Sequence, residues 1–311
     1  METETISIVI PCYCEEEVIP IFYNTLIQEA VSQLSEVNFE ILFIDDGSKD
    51  DTLKIIKNLG ITDSRVKYVS FSRNFGKEAA IYAGLKHATG DYVAIMDVDL
   101  QDPPELLIPM YEAIMTEGYD CVATRRETRI GEPSIRSFFA RRFYKLINKI
   151  SQMEIMEGAR DFRLMKRSVV AAVLEVGEYN RFSKGIFEWV GFNTKWIPYT
   201  NAERVAGETK WSFWELFLYS MEGIIAFSTA PLAIASVTGL IFCILSFLAI
   251  VVIIIREILW HGSAFGWPSL VCIIFFIGGI QLFCTGILGQ YLARTYLETK
   301  KRPIYIVKEH N

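Results

Sequence analysis

Asp91-Tyr92-Val93-Ala94-Ile95-Met96 runs directly into Asp97-Val98-Asp99-Leu100-Gln101-Asp102-Pro103-Pro104-Glu105. The first six residues have the length and β-branched content of a buried strand. Two carboxylates one residue apart then stand where that strand leaves its sheet. In open α/β sheets, ligands bind outside the carboxyl ends of strands. Asp97, Asp99 and the Gln101 amide offer the hard oxygen donors that Mg²⁺ or Mn²⁺ prefers, and such an ion also takes substrate phosphates. Pro103 and Pro104 suit a turn and the first turn of a helix, with Asp102 as its N-cap. A lone Asp-X-Asp is a weak signal, because loops are rich in Asp. The rest of the chain gives it meaning.

Three similar strand ends precede it. Ser7-Ile8-Val9-Ile10 ends in Pro11-Cys12-Tyr13-Cys14-Glu15-Glu16, and a helix is expected from about Val18 to Leu34. The Gly-X-Gly-X-X-Gly of a dinucleotide fold is absent from that first turn, which removes NAD chemistry as the leading idea. Glu40-Ile41-Leu42-Phe43-Ile44 ends in Asp45-Asp46-Gly47-Ser48, where Gly47 suits a tight turn and Asp50 or Asp51 can cap the next helix. One carboxylate there can accept hydrogen bonds from a nucleobase imide or a ribose hydroxyl. Lys67-Tyr68-Val69-Ser70-Phe71 delivers Ser72-Arg73-Asn74-Phe75-Gly76-Lys77, with Arg73 and Lys77 placed to face phosphate, and a helix over Glu78–Ala88. A fifth strand, Tyr119–Ala123, delivers Thr124, Arg125 and Arg126. Strands alternating with helices predict a mostly parallel sheet with helices on both faces.

Past Pro133 the character changes. Ser134 to Ile150 carries Arg136, Arg141, Arg142, Lys145 and Lys149 and no acid, with apolar residues at spacings of three and four. This is a basic amphipathic helix suited to a membrane surface with anionic head groups. Gly158-Ala159-Arg160-Asp161-Phe162-Arg163-Leu164-Met165 opens a strand-like run, and Asn180–Gly185 reads as a polar loop. Glu203–Trp211 reads as a flexible basic loop. Aromatics from Trp211 to Phe227 suggest an interfacial belt.

The 311 residues are 51% hydrophobic with a net charge of −6, and the mean hydropathy of +0.26 is high for a soluble enzyme. Residues 232–255 and 269–293 carry no charge. Each stretch is long enough to cross a hydrocarbon core of roughly 30 Å at about 1.5 Å per residue, so two spans are expected. The first residues show no signal peptide, and Arg294, Lys300, Lys301, Arg302 and Lys308 follow the second span. Both features put the catalytic part and the tail on the cytoplasmic side of the inner membrane. Glycines 278, 279, 286 and 289 favour close helix packing, within the hairpin or between protomers of a homo-oligomer. The six cysteines show no metal or redox spacing, and the acidic balance argues against nucleic acid as a partner.

Taken in order, the segments at Pro11–Glu16, Asp45–Ser48, Asn74–Lys77, Asp97–Glu105, Arg160–Arg163 and Gly207-Glu208-Thr209-Lys210-Trp211 resemble the family-2 glycosyltransferases of the polyprenyl-phosphate type. Bactoprenol (undecaprenyl-phosphate) glucosyltransferases look most similar, and dolichol-phosphate mannose synthases are related. The resemblance covers nearly the whole chain. It implies a GT-A (Rossmann-like) core over residues 1–132, an acceptor region with membrane-interface helices over 133–230, a transmembrane hairpin over 231–293 and a basic cytoplasmic tail over 294–311. It also implies that Pro11, Tyr13, Glu15, Asp45 and Asp46 line the nucleoside pocket, and that Asp97, Asp99 and Gln101 hold a Mg²⁺ or Mn²⁺ cofactor, with Asp99 counted among the catalytic residues. Lys77, Arg125, Arg126, Arg136, Arg204 and Lys210 become candidates for binding phosphate. Asp161 takes the place of the family's carboxylate beside the acceptor, either as base or as positioning group; otherwise it is a structural partner of Arg160 or Arg163. The Gln-X-X-Arg-Trp motif of processive relatives is absent, so a single sugar is expected to move.

The implied reaction is an inverting, metal-dependent transfer from a nucleotide-sugar, UDP-glucose first, to undecaprenyl phosphate for cell-envelope glycosylation. UDP-GlcNAc, GDP-mannose or an aminoarabinose nucleotide is the alternative donor, and an inactive membrane-anchored nucleotide-binding scaffold is the reading from another class. The chemistry follows from the groups involved. Cleaving a sugar–diphosphate bond builds charge on the leaving phosphate, which cations stabilise. In-line attack on an oxocarbenium-like centre inverts it. A lipid phosphate, with a second pKa of about 6, arrives largely ionised.

Overall fold

The computed structural model describes residues 3–126, 156, 158–200, 228–260 and 266–311. The basic segment 134–150, the loop 203–211 and the aromatic stretch 211–227 lie outside them, as do Arg136, Arg204 and Lys210. The chain begins β1 (Thr5–Cys12), α1 (Ile19–Leu26), β2 (Asn38–Asp45), α2 (Thr52–Thr62), β3 (Val66–Phe71), α3 (Lys77–His87) and β4 (Tyr92–Ile95). Next come α4 (Leu107–Glu117), β5 (Cys121–Arg126), β6 (Ala159–Lys166), α5 (Arg167–Glu175), α6 (Ser183–Trp189) and β7 (Thr194–Tyr199). Two long helices, α7 (Ala230–Trp260) and α8 (Trp267–Thr299), precede a short strand β8 (Val307–His310).

The described strands form one eight-stranded sheet in the order β7-β5-β6-β4-β1-β2-β3-β8. β1 pairs in parallel with β2 and β4, β2 with β3, and β5 with β7. β6 runs against both β4 and β5, and β8 runs against β3. The expected mostly parallel α/β core is therefore present, with two antiparallel strands set into it. β6 and β7 come from the region assigned on sequence to the acceptor, so the sheet takes strands from both sides of the 132/133 boundary. At the rim between β5 and β6, the Arg126 N–H donates to the Gly158 carbonyl at 3.0 Å.

Both faces of the sheet are buried, as the unbroken apolar runs require. Ile8 and Ile10 join Phe22, Leu26, Phe43 and Met110 on one side. Val9, between them, packs with Ile44, Ala80, Val93 and Val170 on the other. Side chains alternate across a strand, so one stretch supplies two cores.

Three local expectations change. The helix expected over 18–34 stops at Leu26 and continues as a π-turn over Ile27–Val31. That wider turn lets the adjacent Ala30 and Val31 both be buried. The Asn180–Gly185 loop gives way to α6 at Ser183, whose N–H and hydroxyl both donate to the Glu78 carboxylate. Asp102 is not a helix cap. Pro103 precedes a 3₁₀ turn over Pro104–Leu106, and Asp102 is buried instead.

Within α8, Ile273–Thr299 is long and apolar enough to cross a membrane. On α7 the stretch Ala230–Phe242 is also apolar but shorter. The two helices touch where Phe242 meets Phe276 edge-on at 5.5 Å, and just ahead of α7 the Ser228 carbonyl accepts from Tyr291 Oη of α8 at 2.6 Å.

α3 lies so close to β1 that a Cβ on Gly84 would stand 2.0 Å from Val9 Cγ1. Gly84→Ala should destabilise the protein by about 1–3 kcal/mol through overpacking. Pairing it with Val9→Ala should recover part of that loss. Thermal unfolding of the purified single and double variants checks both expectations, and an additive double variant would refute the contact.

Candidate active site

The chain builds β1, β2 and β3 outward in one direction, then returns to lay β4 on the other flank of β1. That reversal opens a crevice beyond the carboxyl ends of β1 and β4, where α/β sheets bind ligands. Pro11, next to last in β1, is buried opposite Ile44 of β2, and Tyr13 and Glu15 follow in the loop. The Glu15 N–H donates to Thr52 Oγ1 at 2.8 Å. Asp97 and Asp99 leave β4 on the other side. Both loops contain a non-glycine residue in the left-handed region, Cys14 at φ 54° and Leu100 at φ 56°. Such outliers persist only where surrounding contacts over-determine them.

The antiparallel register of β6 on β4 brings the remaining carboxylate in. Ile95 faces Arg163, and two residues further on the same register puts position 97 opposite position 161. Lys77, the first residue of α3, spans the two carboxylates. Its Nζ lies 2.7 Å from Asp97 Oδ1 and 2.6 Å from Asp161 Oδ2. The surrounding protein works against the Lys77 charge, although the side chain remains 45% exposed, and Asp161 and Asp97 outweigh it and raise its pKa. Burial likewise opposes the Asp161 charge, yet Lys77 and then Lys184 hold its carboxyl well below the usual carboxylate range. Next to Lys77, burial pushes the Glu78 carboxyl up despite its bonds from Ser183.

The second strand end serves the same crevice through Asp46. Its Oδ1 accepts from the Phe75 N–H at 2.6 Å and its Oδ2 from the Gly76 N–H at 2.9 Å. Burial raises its pKa, partly offset by those two amides. Asp45 points inward, accepting from Ser48 N–H at 3.0 Å and Ser70 Oγ at 2.7 Å. Gly47, at φ +68°, lets the loop approach, since a Cβ there would stand 2.5 Å from the Arg73 carbonyl carbon. Arg73 is exposed and lies 4.0 Å over the Phe75 ring.

Beyond Asp99 a buried polar network holds the loop. Gln101 N–H donates to Asp99 Oδ1 at 3.2 Å. Gln101 Oε1 accepts from Arg160 Nη2 at 3.3 Å, and Arg160 Nε donates to Asp102 Oδ1 at 3.0 Å. The Tyr199 hydroxyl, at the end of β7, donates to the same Asp102 oxygen. Arg163 is 1% exposed, with its guanidinium 3.8 Å over the Phe187 ring and Nη2 donating to the Arg160 carbonyl. Burial lowers its pKa. Asp102, Arg160, Tyr199 and Glu78 thus brace the site, and Lys184 acts on Asp161 through its charge. The sequence offers Asp102 only as a helix cap and Arg160 only as a possible partner of Asp161, and gives Tyr199, Glu78 and Lys184 no role. The one available signal was the charge of the Arg160-Asp161-Phe162-Arg163 run opening an apolar strand.

Among the described residues, no group of three or more His, Cys, Asp or Glu side chains converges on one point. The Asp97, Asp99 and Gln101 oxygens still fit a hard divalent cation in donor chemistry, and Asp97 already attracts the Lys77 ammonium. Arg125 and Arg126 end β5 half-buried, with Arg125 Nη1 near Met156 Sδ at 3.9 Å.

A family model described as Glycosyl transferase family 2 matches residues 7–174. A prophage bactoprenol glucosyl transferase homolog of Escherichia coli (strain K12) is 46% identical, over 97% of this chain and 98% of that protein. The bactoprenol glucosyl transferase of Shigella phage SfX is 45% identical, over 97% and 98% respectively. Among solved structures, glucosyl-3-phosphoglycerate synthase from Mycobacterium tuberculosis, in complex with Mn²⁺, UDP-Glc and phosphoglyceric acid, is 21% identical. That likeness covers 71% of this chain and 78% of that one, with a TM-score of 0.45.

The Lys77 bridge has a defined pH window. Asp161 is depressed, so the bridge stabilises above the unfolded carboxylate value of about 3.9 and is lost as pH falls through the folded value. Lys77 is raised, so its share is fully present below the unfolded lysine value of about 10.4 and lost only in stronger alkali. Lys77→Gln should therefore lower the unfolding temperature at pH 7, with the gap to the unmodified protein narrowing progressively as pH falls below about 4. Melting curves of both proteins across that range check it. A gap that stays constant down to pH 2 would contradict the bridge.

Proposed function

The chain belongs to glycosyl transferase family 2, and from that premise we propose that it moves one glucosyl unit from UDP-glucose to undecaprenyl phosphate. The observation that carries this reading is the meeting of Asp97, Lys77 and Asp161 at the crevice beside β1. A donor diphosphate and an acceptor anion both require cation support there, and a carboxylate stands beside it. The names of the relatives at 45–46% identity support the sugar and the lipid.

In this reading the nucleoside lies against Pro11, Tyr13, Glu15 and Asp46, whereas Asp45, expected to line the same pocket, is buried with both oxygens taken by Ser48 and Ser70 and supports the loop from behind. Asp97, Asp99 and Gln101 would hold a divalent ion, which when bound offsets the diphosphate charge. Lys77 stands at the junction between the donor side and Asp161, placed to stabilise charge on the departing phosphate. Arg125, Arg126, Arg136, Arg204 and Lys210 are the further candidates for that charge. The acceptor phosphate oxygen attacks the anomeric carbon from the face opposite the diphosphate. The new C–O bond forms as the bond to the β-phosphate breaks, and UDP leaves with inversion. The acceptor is already largely ionised, and Lys77 and Lys184 hold the Asp161 carboxyl well below the usual carboxylate range, so Asp161 serves to orient the acceptor rather than to take its proton.

A lipid phosphate also accounts for the apolar helices. Leu240 and Phe247 on α7, and Phe275, Leu282 and Leu292 on α8, are exposed, a pattern suited to lipid contact. We read α7 and α8 as a two-span hairpin that places the crevice at head-group level on the cytoplasmic side.

The direct test is to incubate the purified protein with undecaprenyl phosphate and labelled UDP-glucose, UDP-GlcNAc, GDP-mannose or an aminoarabinose nucleotide. Glucose transfer is expected. Transfer of another sugar would replace the donor, and no transfer with any of them would reject the reaction. EDTA should stop turnover and Mg²⁺ or Mn²⁺ should restore it. Asp99→Asn should lower turnover by about a hundredfold or more, the scale of metal-assisted charge stabilisation.

Asp161→Asn separates charge from shape. It should cut turnover strongly while leaving the donor KM nearly unchanged, because the nucleotide is held elsewhere. Turnover by the Asn variant should partly recover between pH 6 and pH 8 if acceptor protonation limits it. Unmodified turnover across that range would return Asp161 to a structural role beside Arg163.

A further inference from the structure

The short strand after α8 closes the edge of the sheet directly behind the Asp46 loop. β8 pairs antiparallel with β3, matching Val69 to His310 and Ser70 to Glu309. The Ser72 N–H donates to the Ile306 carbonyl at 3.0 Å, and the Tyr68 N–H to Asn311 Oδ1 at 2.7 Å. Glu309 pairs with Lys57 of α2 at 2.5 Å. These contacts cover backbone groups that an open edge strand would leave unpaired.

The side chains continue inward from that edge. Tyr305 stacks on Phe71 with ring centroids 4.9 Å apart and planes 21° from parallel. Tyr82 of α3 meets Tyr305 edge-on at 6.3 Å. Phe71 is 1% exposed and meets Phe75 edge-on at 5.8 Å. The Phe75 N–H is one of the two amides bound by Asp46, and Lys77 follows two residues later. A continuous packed path therefore runs from the tail, through two aromatic contacts, to the loop that carries Lys77 to Asp97 and Asp161.

We propose that residues 304–311 are a positioning element of the active site, in which Tyr305 sets the Ser72–Gly76 loop against Asp46 through Phe71 and Phe75. Tyr305 acts through its neighbours and is not a catalytic residue. Seven residues, 300–306, separate the end of α8 from β8, so the same segment ties the apolar helix to the donor side of the crevice. The edge bonds of β8 are made by backbone and by Asn311, so replacing the Tyr305 ring leaves them in place. The aromatic path and the edge pairing can thus be tested separately. The kinetic consequence rests on the transferase reading above; the structural one does not.

The test compares full-length Tyr305→Ala and Tyr305→Phe with the unmodified protein in lipid nanodiscs. Amide hydrogen exchange over Arg73–Lys77 should quicken about tenfold in the Ala variant, the scale of a lost aromatic pair. It should stay unchanged in the Phe variant, which keeps the ring. Exchange in β1 and β2 should not move in either. For whichever nucleotide-sugar the unmodified protein uses, the Ala variant should raise the donor KM about tenfold with the acceptor KM unchanged, and the Phe variant should restore it. Unchanged exchange over Arg73–Lys77 in the Ala variant would overturn the proposal. So would exchange that rises equally across the sheet, which would mark Tyr305 as general packing. If the unmodified protein transfers no sugar, the transferase reading fails while the exchange comparison still decides the role of the tail.

Discussion

The site depends on how β6 enters the sheet. Because it runs against β4, its first residues arrive at the same rim that the parallel strands reach with their last ones. Asp161 is thereby set opposite Asp97, a like-charge pair that is unfavourable across neighbouring strands. The Lys77 ammonium between them resolves that repulsion. Lys77 can stand there only because Asp46 fixes the preceding turn by its two backbone amides. Gly47 in turn has no side chain to push the Arg73 backbone away. Three strand ends and one helix start are tied together by a handful of short contacts.

Much of the architecture was legible because it is written locally. The β-branched runs of β1 to β4 are continuous, the acidic and glycine residues fall at their ends, and the uncharged stretches near the tail are long. Matching those ends to a known pattern placed the chain in its family. The contacts that organise the crevice are not local. Asp97 and Asp161 meet through an antiparallel register in a sheet whose sequence suggested mostly parallel pairing. Asp102 looked like a helix cap because two prolines follow it. Its bonds come from Arg160 and Tyr199, 58 and 97 positions away. The start of α6 was missed because Ser183 is captured by Glu78, 105 positions earlier. Polar residues in a short segment read as a loop until their distant partners are known.

The buried Asp102 network illustrates how rigidity is supplied without extra hydrophobic mass. Asp102 is 1% exposed and takes two donors on one oxygen, one from β6 and one from the end of β7. A buried charge is tolerated when it is paired and hydrogen-bonded, and breaking such a pair costs far more than forming it returns. The network thus fixes Gln101, and with it the turn containing Leu100, more firmly than the weak helical tendency of the sequence could. The Asp-X-Asp loop owes its shape to strands that arrive later in the chain.

The junction between β5 and β6 has a further consequence. The two strands are neighbours, and the bond from Arg126 N–H to the Gly158 carbonyl pins the points where the chain departs from and rejoins the sheet. A Cβ on Gly158 would come within 2.7 Å of the Arg126 carbonyl, so the pinch itself tolerates little change. Asp161 follows three positions later on β6, at the rim where Lys77 meets it. The width of that rim is thus gauged by an absence: a single hydrogen atom at position 158, where any side chain would wedge β5 and β6 apart.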